Sequence, residues 1–270
     1  MGETSGNEFA TRGDGRYHPR TGTGSGIARS AVSVTTRSRQ VKPRFPAPPT
    51  SSSQTTAGSS SARRDLLGSR SVDVTGLAIA AGGAAILGGS IAGARFPVIH
   101  PAEMRVFRFV NGWPDWLYLP LWLPIQMGNL LVGTAVGLAI AWALGAAEVA
   151  FAVVLAMVLK LVVERVVRRE LAQYMEVRQR PGTSEPGARL RGADVPKSGM
   201  SFPSGHVILV AAISTVLTGH LDAGVALIPF AVAALVAVGR VFVGAHNPLD
   251  VTAGMGAGLL VGGILTAILY

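Results

Sequence analysis

The chain has 270 residues, 49% of them hydrophobic and 14% charged, with no cysteine and a formal charge of +9. Without cysteine there is no disulfide, thiolate nucleophile or thiolate metal site. The positive charge is not gathered into a basic stripe on a folded, water-exposed segment, so nucleic acid is not the expected partner, and anionic lipid headgroups suit it better.

In chain order, residues 1–72 come first and are rich in Ser, Thr, Gly, Pro and Arg, without a sustained apolar period. They read as a disordered, basic, cytoplasmic tail, with eleven basic residues from Arg12 to Arg70 against five acidic ones through Asp73. The polar opening does not have the layout of a cleavable signal peptide. Residues 73–270 form the second region, in which apolar blocks alternate with short polar punctuation. From Pro203 to Tyr270 only Asp222, Arg240 and Asp250 are charged, a pattern that membrane helices tolerate and water-soluble domains do not. Six blocks approach the ~20 residues that a bilayer core requires, at roughly 74–94, 121–144, 147–165, 204–220, 222–240 and 250–270. The expected fold is therefore all-α, a polytopic bundle of six transmembrane helices. A Trp- and Pro-rich stretch from Trp113 to Trp122 precedes the second block and suits the membrane interface. The basic tail places both termini in the cytoplasm by the positive-inside tendency. The segment between the third and fourth spans then falls outside, although it holds Arg165, Arg168, Arg169, Arg178, Arg180, Arg189, Arg191 and Lys197.

Two clusters carry chemistry. Pro203-Ser204-Gly205-His206 opens the fourth span, where Ser204 can cap, Pro203 fits the helix start, and the N-terminus welcomes an anion. The second cluster runs Arg240-Val-Phe-Val-Gly-Ala-His246-Asn-Pro-Leu-Asp250 and joins spans five and six. Here Asn247 and Pro248 read as a cap and first turn, with Asp250 close enough to orient His246. Each residue also has an ordinary reading: a capped helix, an Arg snorkelling to the interface, an Asp serving the helix dipole. Counting crossings removes much of that ambiguity. The end of span three, the start of four, the end of five and the start of six share one membrane face, and ionisable groups there are functional candidates. Neither His has the i,i+4 His partner of a common metal motif.

PSGH followed by R-x5-H-x3-D resembles the type 2 phosphatidic acid phosphatase superfamily, which includes lipid phosphate phosphatases and vanadium haloperoxidases. The likeness covers roughly residues 75–270. Gly239 stands where that family usually has Ser, and the first motif, K-x6-R-P, is displaced. Lys160 is followed by Arg168 one place late. Arg180-Pro181 supplies the R-P pair, but Gln173 occupies its lysine position. The pair Lys160 and Arg168 is preferred. The resemblance implies a membrane enzyme that removes phosphate from a lipid through a phosphohistidine on His246, with Asp250 orienting the ring and His206 as the acid. Arg240, Ser204, Gly205, Lys160 and Arg168 would hold the phosphate, and no metal or diffusible cofactor is implied. Phosphatidic acid, phosphatidylglycerol phosphate and polyprenyl phosphates all fit as substrates. A lipid-binding or lipid-moving protein on the same scaffold is the alternative; a haloperoxidase is disfavoured by the membrane spans. His18, His100 and His220 have no motif context.

Overall fold

The computed structural model describes residues 73–95, 98–174 and 178–270. The tail expected over residues 1–72 lies outside the described residues. The described part is helical, and its single β-contact is an isolated bridge between Gln179 and Met200. The long helices are α1 (Val74–Ala94), α2 (Pro101–Asn111), α3 (Tyr118–Met127), α4 (Leu130–Ala143), α5 (Ala147–Tyr174), α6 (Gly205–Thr218), α7 (Ile228–Phe242) and α8 (Pro248–Leu269).

All six expected apolar blocks fold as helix, with three differences. The second is broken at Gly128-Asn129, where α3 and α4 meet at 69°. Asn129 accepts from the Leu131 and Val132 amides at 3.0 and 3.4 Å, so its side chain starts a new helix. The third block runs on through its charged half to Tyr174. The fifth starts six residues late, because Asp222–Leu227 turns before Pro229 opens α7. Helix α2 was not expected; Pro101 and the His100 ring, which accepts from the Ala102 amide at 3.2 Å, begin it. By length and composition, α1 and α8 can cross a membrane, as can α3 and α4 if the bent pair is one span. Helices α6 and α7 are apolar but have 14 and 15 residues, a rise of about 21–23 Å against a core of about 30 Å. Helix length and composition alone thus give fewer crossings than the six expected.

Helix α8 organises the rest through two glycine faces. Gly256 and Gly263 meet Gly83 and Gly76 of α1. A β-carbon on Gly83 would fall 2.5 Å from the Leu260 amide nitrogen, and one on Gly76 would fall 2.6 Å from that of Ala267. The opposite face, Gly254, Gly258 and Gly262, lies on α6, where added β-carbons would fall 2.6–2.8 Å from the carbonyls of Ser204, Ile208 and Ala212. Small residues at four-residue spacing allow backbones to touch, the usual basis of helix association in lipid. The second contact sets the start of α6 beside the start of α8.

Candidate active site

The loop before His246 is clamped from several sides. The Phe242 carbonyl accepts from Asn111 Nδ2 at 2.9 Å and from Arg191 Nη1 at 2.7 Å. Arg191 also lies 4.2 Å over the Phe242 ring and donates to the Trp113 carbonyl. Gly244 takes a positive φ of 78°, with Arg189 O close to where a β-carbon would stand. Arg180 Nη1 donates to the Ala245 carbonyl at 2.8 Å, one residue before His246. Several basic residues of the 165–197 segment are therefore structural. Arg178 and Arg180 are 4% and 8% exposed, and Arg191 spends its donors on backbone carbonyls and Asp115.

His246 is buried, with Nδ1 3.8 Å from Asp250 Oδ2, within ion-pair reach but beyond hydrogen-bond length. Burial pushes its imidazole below the ordinary value, against the opposing pull of Asp250. Asp250 is fully buried and committed elsewhere: Oδ2 accepts from the Asn247 amide at 2.7 Å, and Oδ1 from Arg178 Nε at 2.8 Å. Arg178 Nη2 also donates to Glu103 on α2, whose Oε1 accepts from the Leu249 amide at 2.9 Å. Burial works against the charge of Arg178, but Asp250 and Glu103 outweigh it and raise its pKa.

Ser204 begins α6, yet its hydroxyl makes no cap; it is fully buried and has no partner among the described residues. Its amide instead donates to the Asp250 carbonyl at 2.9 Å, tying the two clusters together. His206 follows in the first turn, packed against the break after α3, so that a β-carbon on Gly128 would stand 2.7 Å from His206 Cβ. Arg240 does not snorkel. It is 3% exposed, its Nε and Nη1 lack hydrogen-bond partners among the described residues, and Asp194 Oδ2 stands 3.8 Å from Nη1. Gly239 faces Ile125, where a β-carbon would fall 2.7 Å from Cγ1; this packing accounts for glycine at that position. Lys160 and Arg168 both pair with Glu164, which lies against Gly205. Among the described residues, no three His, Asp or Glu side chains are grouped to hold a metal ion.

All eight expected residues lie within this assembly or on its border. Arg178, Arg180, Glu103 and Glu164 join it without having been expected. The Arg180-Pro181 pair was the available signal for Arg180, masked by Gln173 at its lysine position. The other three are visible only through tertiary contacts.

Among known proteins, residues 145–270 match the family model described as the PAP2 superfamily. The crystal structure of Aquifex aeolicus LpxE is similar, with 24% identity and a TM-score of 0.54 over 62% of this chain and 98% of that one. A second is the crystal structure of the first transmembrane PAP2 type phosphatidylglycerolphosphate phosphatase from Bacillus subtilis, at 20% identity, with a TM-score of 0.47 over 71% of this chain and 94% of that one. No curated protein sequence matches. The matched segment, residues 145–270, contains His206, Arg240, His246 and Asp250 together with the arginines that clamp them, and over it the chain is similar to the PAP2 superfamily.

Proposed function

We propose that the protein is an integral membrane phosphatase that hydrolyses a lipid phosphate. The observation that carries this reading is that, among the described residues, Ser204 Oγ at the start of α6 and Arg240 Nε and Nη1 near the end of α7 are buried without hydrogen-bond partners. Unsatisfied buried donors are costly unless a ligand completes them, and guanidinium and hydroxyl groups match the oxygens of a phosphoryl group.

In the proposed reaction His246 Nε2 attacks phosphorus and the bond to the lipid oxygen breaks. His206 delivers a proton to that leaving oxygen. Water then attacks the phosphohistidine, His206 takes its proton, and inorganic phosphate departs. The depressed basicity of His246 keeps the imidazole neutral, as a nucleophile must be. Asp250, fixed by Arg178 and Asn247, offers its remaining capacity to Nδ1. Arg240, Ser204, Gly205, Lys160 and Arg168 hold the phosphate oxygens, with Arg180 beside them. This reading calls on no metal or diffusible cofactor, since fixed cations and helix N-termini supply the charge stabilisation. Phosphatidic acid, phosphatidylglycerol phosphate and polyprenyl phosphates or diphosphates remain the candidate substrates, and the site is proposed to open on the outer face of the cell membrane.

Purified protein is expected to release phosphate from at least one of these lipid classes. His246→Ala should lower turnover by at least about a thousandfold, and His206→Asn by about 10²–10⁴-fold. Undiminished turnover in His246→Ala would remove that residue from the chemistry. Binding of lipid phosphate without release would favour a lipid-binding or lipid-moving protein, a reading supported by the pairing of Lys160 and Arg168 with Glu164.

A further inference from the structure

Glu164 is a charged side chain against the proposed phosphate subsite that the proposed reaction does not use. It lies one turn after Lys160 and one turn before Arg168 on α5. Its Oε2 is 2.6 Å from Lys160 Nζ, and its Oε1 is 2.7 Å from Arg168 Nη2. The same carboxylate crosses the first residue of α6: a β-carbon on Gly205 would fall 2.5 Å from Oε2 and 3.0 Å from Oε1. Two paired cations, a bare glycine and a helix N-terminus are the surroundings of a bound anion. Glu164 fills that position from within the chain.

We infer that Glu164 is a tethered stand-in for the substrate phosphate. It occupies the subsite made by Lys160, Arg168 and Gly205, and a phosphate must displace it to engage them. The inference rests on the proposed assignment of those three residues to phosphate binding. Two consequences follow from charge. A carboxylate carries one negative charge, whereas a phosphomonoester carries about 1.5–2 at neutral pH. Exchange therefore favours a phosphomonoester over the singly charged phosphodiesters that make up most of a bilayer. The apparent affinity for phosphate is also reduced by the fraction of molecules in which Glu164 is in place.

The test uses the full chain in detergent micelles, with inorganic phosphate as the dianionic ligand and dimethyl phosphate as the monoanionic one. Affinity is read from the ligand-dependent rise in thermal midpoint. Glu164→Gln keeps the shape and removes the charge. It should bind inorganic phosphate on the order of tenfold more tightly than the parent, as expected if the subsite is free about a tenth of the time, and dimethyl phosphate more tightly by the same factor. Unchanged or weaker phosphate binding would overturn the inference and make Glu164 a group that merely positions Lys160 and Arg168. Should Glu164→Gln not fold, Glu164→Asp withdraws the carboxylate by one methylene and should give a smaller gain in the same direction; no gain overturns the inference. Tighter phosphate binding by the variant of a parent that releases no phosphate from lipids would sustain the tethered anion and reject the phosphatase reading. An active parent with no gain in the variant would do the reverse. Absence of phosphate binding by both proteins rejects the inference.

Discussion

Arg178 is the residue on which the geometry of the second cluster most depends. It joins Asp250 and Glu103, both buried carboxylates, and its side chain is 3% exposed. Taking three charges out of water is expensive, and the arrangement holds because each carboxylate accepts from Arg178 and from a backbone amide. Arg178→Met should therefore cost about 3–5 kcal/mol of stability, because it strands two carboxylates rather than because it loses a hydrogen bond. Glu103→Gln in the same background should recover part of that loss, so that the double variant is less damaged than the sum of the singles. Thermal unfolding in detergent across the four proteins measures the coupling, and simple additivity would show that the two side chains act independently. None of this could be read from the sequence, because Glu103 and Arg178 are 75 residues apart and meet only in the fold. His206, Arg240, His246 and Asp250 are expected on one face from local spacing and a count of six crossings, and the Ser204 amide on the Asp250 carbonyl at 2.9 Å joins the two segments that carry them.

Glycine spacing decides how closely the helices approach, and α1 supplies a matched pair of adjacent positions that test it. A β-carbon on Gly83 would strike the backbone of α8, whereas one on Gly82 would meet nothing within 4 Å. Gly83→Ala should then force α1 away from α8 and lower the thermal midpoint. Gly82→Ala should leave it unchanged or raise it, since alanine is favoured over glycine within a helix by about 0.5–1 kcal/mol. Equal effects at the two positions would mean that backbone contact with α8 is not what holds α1. The Ala- and Gly-rich sequence of this region suits close packing, but does not say which face meets which helix, because glycines lie on several faces of α8. The break between α3 and α4 was likewise concealed. Its signals, Pro124 and Gly128-Asn129, lie inside a hydropathy run long enough to read as one span. Only the position of His206 against Gly128 shows what the break accomplishes.

The molecule as a whole posed one conflict in its sequence: a basic tail before the first span and a basic segment between the third and fourth, on opposite faces if six spans cross. The positive-inside tendency concerns charges that must be held back from translocation in short flanking loops. Arg178, Arg180 and Arg191 are instead drawn into the protein by Asp250, Glu103, Asp115 and backbone carbonyls. Their charge is largely matched within the fold, and they weigh less in orientation than a raw count implies. The tail, with eleven basic residues against four acidic ones, then dominates, and it should face the cytoplasm with His206 and His246 near the opposite surface. The absence of cysteine makes this directly measurable. Ser198 is exposed in the segment before the PSGH cluster, and Ser52 lies in the tail. In intact cells a membrane-impermeant maleimide should label Ser198→Cys, and should label Ser52→Cys only after the membrane is permeabilised. The reverse pattern would place the site on the cytoplasmic face. The arginines between α5 and α6 would then act as orienting charges as well as clamps, and the lipid phosphate would have to be presented from the inner leaflet.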